Sequence, residues 1–175
     1  LGSRLETAGS RLTEFQTAQL GANDKGWTSW GIAEERRGGP ASYGSPHLRY
    51  RDFHADLTAL VALRLEPSDE PACLDDIAMA LDRPKRPIFI GRKNCLPTTR
   101  LLDGWVEAAT VLEALQLAPL KLGSIALRAQ WPASEGRLAG DRVLDLCDER
   151  NWTSGVHGGW RPVREGIIRA AKESK

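Results

Sequence analysis

Leu57-Thr58-Ala59-Leu60-Val61-Ala62-Leu63-Arg64-Leu65 is the stretch on which the fold turns. Leu57, Ala59, Val61, Leu63 and Leu65 fall on one face at period two, while Leu60 and Ala62 make the other face largely apolar too. Only Thr58 and Arg64 are polar, so a central strand covered on both sides is expected. Pro67 and the Ser68-Asp69-Glu70-Pro71 cluster break it. Asp69 can cap a helix, Pro71 suits its first turn, and Leu74, Ile77, Ala78 and Leu81 recur at helical spacing. The pattern predicts a helix over 72–81, ended by Pro84.

Beyond that helix, Ile88-Phe89-Ile90 has the β-branched and aromatic content of a short buried strand. Strand, helix and strand over 57–90 resemble the second half of a split βαβ unit. The expected class is therefore α+β: a ferredoxin-like (RRM-like) antiparallel sheet, N-terminally incomplete, because the first half of the unit would precede Leu1. Upstream, Leu12 and Phe15 alternate with polar neighbours in 11–17 as an edge strand would. Residues 19–48 hold six Gly, two Pro and two Trp without sustained periodicity, and read as a long excursion, a hairpin or an irregular loop. Downstream, Thr110 and Glu113 form a capping-box pattern ahead of a helix over 111–117 that Pro119 stops. Residues 125–131 and 142–147 read as two strands around a turn at 134–140, and the end from Asn151 as rich in Gly and Trp and then basic, with its last several residues fraying. Two regions are expected: 1–103, the incomplete ferredoxin-like domain with its excursion, and 104–175, a β-rich extension.

The chain has 175 residues, 41% hydrophobic and 27% charged, ordinary values for a globular protein. No apolar run approaches the roughly 20 residues of a membrane span. Cys73, Cys95 and Cys147 are dispersed, without a C-x-x-C pair, so reduced thiols and a cytoplasmic setting are expected, with neither a zinc site nor a disulfide framework. The net charge is only +1, yet 83–100 gathers six Lys or Arg and no Asp or Glu. Such a cluster, with a Gly91-Arg92-Lys93-Asn94 turn inside it, suits a phosphate or a nucleic-acid backbone. A solvated basic loop is the plainer alternative.

Catalytic patterns are sparse. His54, with Lys85 or Lys93, has the residue types for metal-independent RNA cleavage, but nothing in the spacing singles it out. Asp75 and Asp76 suit a helix N-terminus better than a metal. No G-x-S-x-G occurs, and Cys95 reads as a packed thiol. No catalytic site, metal or cofactor is expected.

Three stretches together resemble a known family: Leu12-Thr13-Glu14-Phe15-Gln16-Thr17, Tyr50-Arg51-Asp52-Phe53 with Ala55-Asp56, and Arg86-Pro87-Ile88-Phe89-Ile90-Gly91-Arg92-Lys93-Asn94-Cys95-Leu96-Pro97. They are similar to the CasD subunits of the type I-E CRISPR effector complex, Cascade, which belong to a ferredoxin-like repeat-associated superfamily. Members begin with a strand, a Pro-Leu-Gln-Ser-Trp-Gly-like segment and a helix that have no counterpart here, so the sheet is expected to lack a strand. The resemblance implies a non-catalytic antiviral-defence subunit that holds the repeat-derived 5′ handle of the CRISPR RNA and caps the filament of CasC-type backbone subunits. A CasA-type large subunit would be a further partner, and target DNA would be met only through the complex. Tyr50, Arg51, Arg86, Phe89, Gly91, Arg92, Lys93 and Asn94 would line the RNA groove. The excursion over 19–48 would match the family's projecting thumb, a thumb-like arm with Trp27, Trp30, Arg36 and Arg37 at its interface. A repeat-processing endoribonuclease and a structural subunit with an acidic protein partner are the alternatives.

Overall fold

The computed structural model describes residues 1–19, 27–29, 32–34, 46–68, 70–120, 126–151, 153 and 156–169. The strands are β1 (Gly2–Thr7), β2 (Ser10–Ala18), β3 (Trp27–Ser29), β4 (Ile32–Glu34), β5 (His47–Ala55), β6 (Thr58–Ala62), β7 (Ala126–Pro132), β8 (Arg142–Arg150) and β9 (His157–Arg169). The helices are α1 (Leu74–Asp82) and α2 (Val111–Leu117). One five-stranded sheet runs β6-β1-β7-β9-β8, every neighbour antiparallel. β2 pairs with β5 in a two-stranded ribbon, and β3 with β4 in a short hairpin within the expected excursion. This is an α+β fold on an antiparallel sheet, consistent with the ferredoxin-like class.

The ribbon continues the β1–β6 pair beyond a kink. Thr7 faces Thr58 on one side of it and Ser10 faces Ala55 on the other. Gly9 (φ +65°) and Asp56 (φ +58°) make the bend in the left-handed region. A Cβ on Gly9 would lie 2.2 Å from the Ala55 carbonyl oxygen, so only glycine lets the two crossings pass this closely. The ribbon therefore leaves the sheet as an arm rather than as two more sheet strands.

The core lies between α2 and one face of the sheet. Val111, Leu112 and Leu115 pack on Ala129, Trp131 and Ile168, with Leu60, Ala62 and Leu138 at the margin. Burying a side chain such as Leu115 contributes about 1.5–3 kcal/mol. α2 forms where its cap pattern predicts: Thr110 Oγ1 accepts from Glu113 N at 3.0 Å, and Glu135 Oε2 accepts from Val111 N at 2.6 Å. At its other end the fully buried Arg4 donates to the carbonyls of Leu115 (2.5 Å), Ala118 (2.7 Å) and Pro119 (2.9 Å) while pairing with Glu6. A strand guanidinium thus satisfies carbonyls that the short helix leaves over.

Several expectations are corrected. The stretch 57–65 is not a central strand: β6 spans only 58–62 and pairs on one side, with β1. Leu57, Val61 and Leu63 remain exposed, because the second apolar face has no layer over it among the described residues. Ile88–Ile90 is not a strand, since Ile90 N donates to Cys95 O and Arg92 N to Ile90 O, closing a tight loop that leaves nothing for a ladder. The strands over 126–132 and 142–150 do not pair with each other. β9 inserts between them, from within the Gly- and Trp-rich, basic end of the chain. The sheet accordingly draws strands from both sides of the 103/104 division.

Candidate nucleic-acid interface

Directly opposed residues of an antiparallel pair share a face. On one face of the ribbon lie Leu12 with Phe53, Glu14 with Arg51, and Gln16 with Arg49; on the other lie Arg11 with His54, Thr13 with Asp52, Phe15 with Tyr50, and Thr17 with Leu48. Strand alternation alone sets this division. It separates Tyr50 from Arg51, which the family resemblance assigns to one groove.

The basic loop docks on the first face. Arg92 Nη2 bonds Glu14 Oε2 at 2.6 Å, and its guanidinium carbon stands 5.6 Å from the Phe53 ring centroid, a cation–π contact. Arg51 is opposite Glu14 in register. The loop is tied a second time where Arg100 binds Asp82 at the end of α1 through both carboxylate oxygens, Nε to Oδ1 at 2.7 Å. These bonds hold the Asp82 carboxyl below its usual range. Just before the first tie Gly91 takes φ +78°, and between the ties Cys95 N donates to Arg92 O, turning the chain over 92–95.

The two ties use two of the six cations. Arg83, Lys85, Arg86 and Lys93 are exposed and have no carboxylate partner among the described residues, and neither do Arg49 and Arg51 on β5. Arg92 Nη1 is covered and lacks an acceptor there. Clamping Arg92 onto the ribbon brings the segment that carries Lys93 to the face of the ribbon that carries Arg49 and Arg51. Phe89 is half exposed and Asn94 fully so, its Oδ1 3.8 Å from Cys95 Sγ.

His54 lies on the opposite face from Arg92, its Nδ1 3.1 Å from the Ala8 carbonyl oxygen. The side chain of Trp27, and Trp30, Arg36 and Arg37 altogether, lie outside the described residues, as does Asp69. Asp76 caps α1 instead: its carboxylate accepts from Cys73 N and Sγ, both at 3.1 Å, and these bonds lower its pKa. Among the described residues no group of three His, Cys, Asp or Glu side chains is gathered to hold a metal. No described helix is long and apolar enough to cross a membrane. Sequence reasoning missed Glu14 as the anchor of Arg92 and Phe15 as the cross-strand partner of Tyr50. The strand period in 11–17 and 48–54 carried both signals, once the two were paired.

The profile of the family described as CRISPR-associated protein (Cas_Cas5) matches residues 8–164. Among solved structures, a chain of a "CRISPR RNA-guided surveillance complex" is similar at a TM-score of 0.59 and 21% identity, over 97% of this chain. The present chain spans 66% of that one's length. No curated protein matches.

Proposed function

The chain belongs to the CRISPR-associated Cas_Cas5 family, and from that premise we propose that it is an RNA-binding subunit of a CRISPR interference complex. In this reading it holds the repeat-derived 5′ handle of the CRISPR RNA without cutting it, as CasD-type subunits of type I-E complexes do. Backbone and large subunits of the CasC and CasA types are its protein partners, and the 1–103 and 104–175 regions supply the RNA groove and its support. The observation that carries the reading is the clamp: Arg92 on Glu14 brings the basic loop against the Arg49 and Arg51 face of the ribbon. Arg51 and Lys93 supply phosphate contacts there, and the loop backbone around Gly91 and Asn94 closes the groove. Specificity comes from splayed bases rather than from a duplex groove.

The test is fluorescence anisotropy with the repeat-derived 5′ RNA at several salt concentrations. Binding should weaken with a log–log slope of about −0.7 for each phosphate contacted. Arg51→Glu should reduce affinity at least about tenfold and make the slope shallower, whereas Arg137→Glu, in the exposed turn after β7, should do neither. Equal affinity of the two variants would refute the proposal. The RNA should be recovered intact; cleavage that His54→Ala abolishes would make the protein a nuclease instead.

A further inference from the structure

The face of the ribbon turned away from the basic loop carries a feature that phosphate binding does not use. Phe15 and Tyr50 stand directly opposite each other on β2 and β5, 69% and 73% exposed. Phe53, on the other face, is half-buried beneath Arg92. We propose that Phe15 and Tyr50 form a stacking platform for unpaired bases of single-stranded RNA; this rests on the RNA-binding reading above and names what that RNA does on the second face.

The strip has the wrong shape for a globular partner. Along the ribbon the rings are bordered by Thr13 with Asp52 on one side and by Thr17 with Leu48 on the other, so among the described residues the apolar part is three side chains. A stable protein interface buries roughly 800 Å² on each partner. Two adjacent rings instead match the flat faces of one or two nucleobases, which stack on aromatics without regard to sequence.

The charge around the strip favours the same occupant. Tyr50 lies between Arg49 and Arg51 in β5, and those two point to the opposite face without a carboxylate partner among the described residues. The outer edge of β5 has no pairing partner there among the described residues. A polynucleotide crossing that edge keeps its phosphates on the arginine face while its bases reach the rings, because base and phosphate lie on opposite sides of each sugar. The one carboxylate bordering the rings, Asp52, is occupied by Thr13 Oγ1 at 2.6 Å and by Arg11, which offsets its repulsion of phosphate.

The experiment uses the full chain and a twelve-nucleotide oligouridylate with one central 2-aminopurine, whose fluorescence falls on stacking. The wild type should bind and quench the probe. Phe15→Leu with Tyr50→Leu keeps the strip apolar but removes the rings; it should weaken binding about tenfold or more and abolish the quenching, with the salt slope unchanged. Phe15→Tyr with Tyr50→Phe keeps the rings and should behave as wild type. If the wild type binds without quenching and the leucine variant binds equally well, the platform is refuted and the RNA-binding reading stands. The same holds if the leucine variant binds RNA normally but no longer enters the assembled complex, since the strip would then be a protein contact. If the wild type does not bind, both readings fall.

Discussion

Arg4→Met keeps the length of a fully buried side chain and removes its charge. The guanidinium serves three carbonyls, those of Leu115, Ala118 and Pro119, and pairs with Glu6 at 2.5 Å. Without it the Glu6 carboxylate, 2% exposed, is a buried charge with nothing to balance it. Removing one partner of such a pair costs about 3–5 kcal/mol. In a chain of this size each kcal/mol moves the melting temperature about 2–4 °C, so a fall of about 6–20 °C is expected. Adding Glu6→Leu removes the orphaned charge and should recover much of the loss, leaving carbonyls that cost about 1 kcal/mol each where water does not reach them. Urea titration followed by circular dichroism, with thermal melts alongside, measures both variants. A single variant within about 1 kcal/mol of wild type, or a double variant no more stable than the single, would mean that Arg4 does not hold these groups together.

Two other outcomes are expected of the same architecture. Hydrogen bonds from Gln130, Arg128 and Arg142 hold the Glu165 carboxyl at about 2, against an ordinary 4.5, so its contribution is present above pH 4.5 and is lost as pH falls toward 2. The stability gap between wild type and Glu165→Gln should therefore shrink over that interval, and a gap independent of pH would contradict it. Gly9→Ala places a methyl 2.2 Å from the Ala55 carbonyl at a backbone conformation that alanine disfavours, and should cost about 1–3 kcal/mol by urea titration. Loss of RNA affinity in the folded Gly9→Ala protein would show that the angle of the arm matters to binding; an unchanged stability would dispose of the kink as described.

The parts of the chain that are legible obey one simple rule at a time. α2 declares itself through Thr110, Glu113 and Pro119, and α1 through its apolar spacing, because caps and period act locally. β1 does not, because its buried face is Gly2, Arg4 and Glu6, residues whose burial depends on partners more than a hundred positions away. β9 is hidden in the same way: Arg164 and Glu165 are buried only because Asp141, Arg128 and Arg142 meet them. Leu57 to Leu65 misleads in the opposite direction, since its apolar content suggests burial although only β1 pairs with β6. At the candidate site the cluster of cations is plain in the sequence, but its orientation is not. That depends on Glu14, an unremarkable acid until the register of β2 against β5 sets it under Arg92.

The position of β9 also has a bearing on how the molecule is made. β9 is the last strand described, and it pairs with both β7 and β8, neither of which pairs with the other. During synthesis β8 therefore has no partner in the sheet until residues 157–169 have left the ribosome. The β2–β5 arm needs nothing beyond residue 55 for its own pairing. The arm can thus close early while the sheet that supports it waits, and the interval exposes β7 and β8 edges to other nascent chains. Closing the sheet depends on pairings far apart in the chain, the kind that slow folding. A newly made chain would carry the complete sheet only after β9 has been threaded into place.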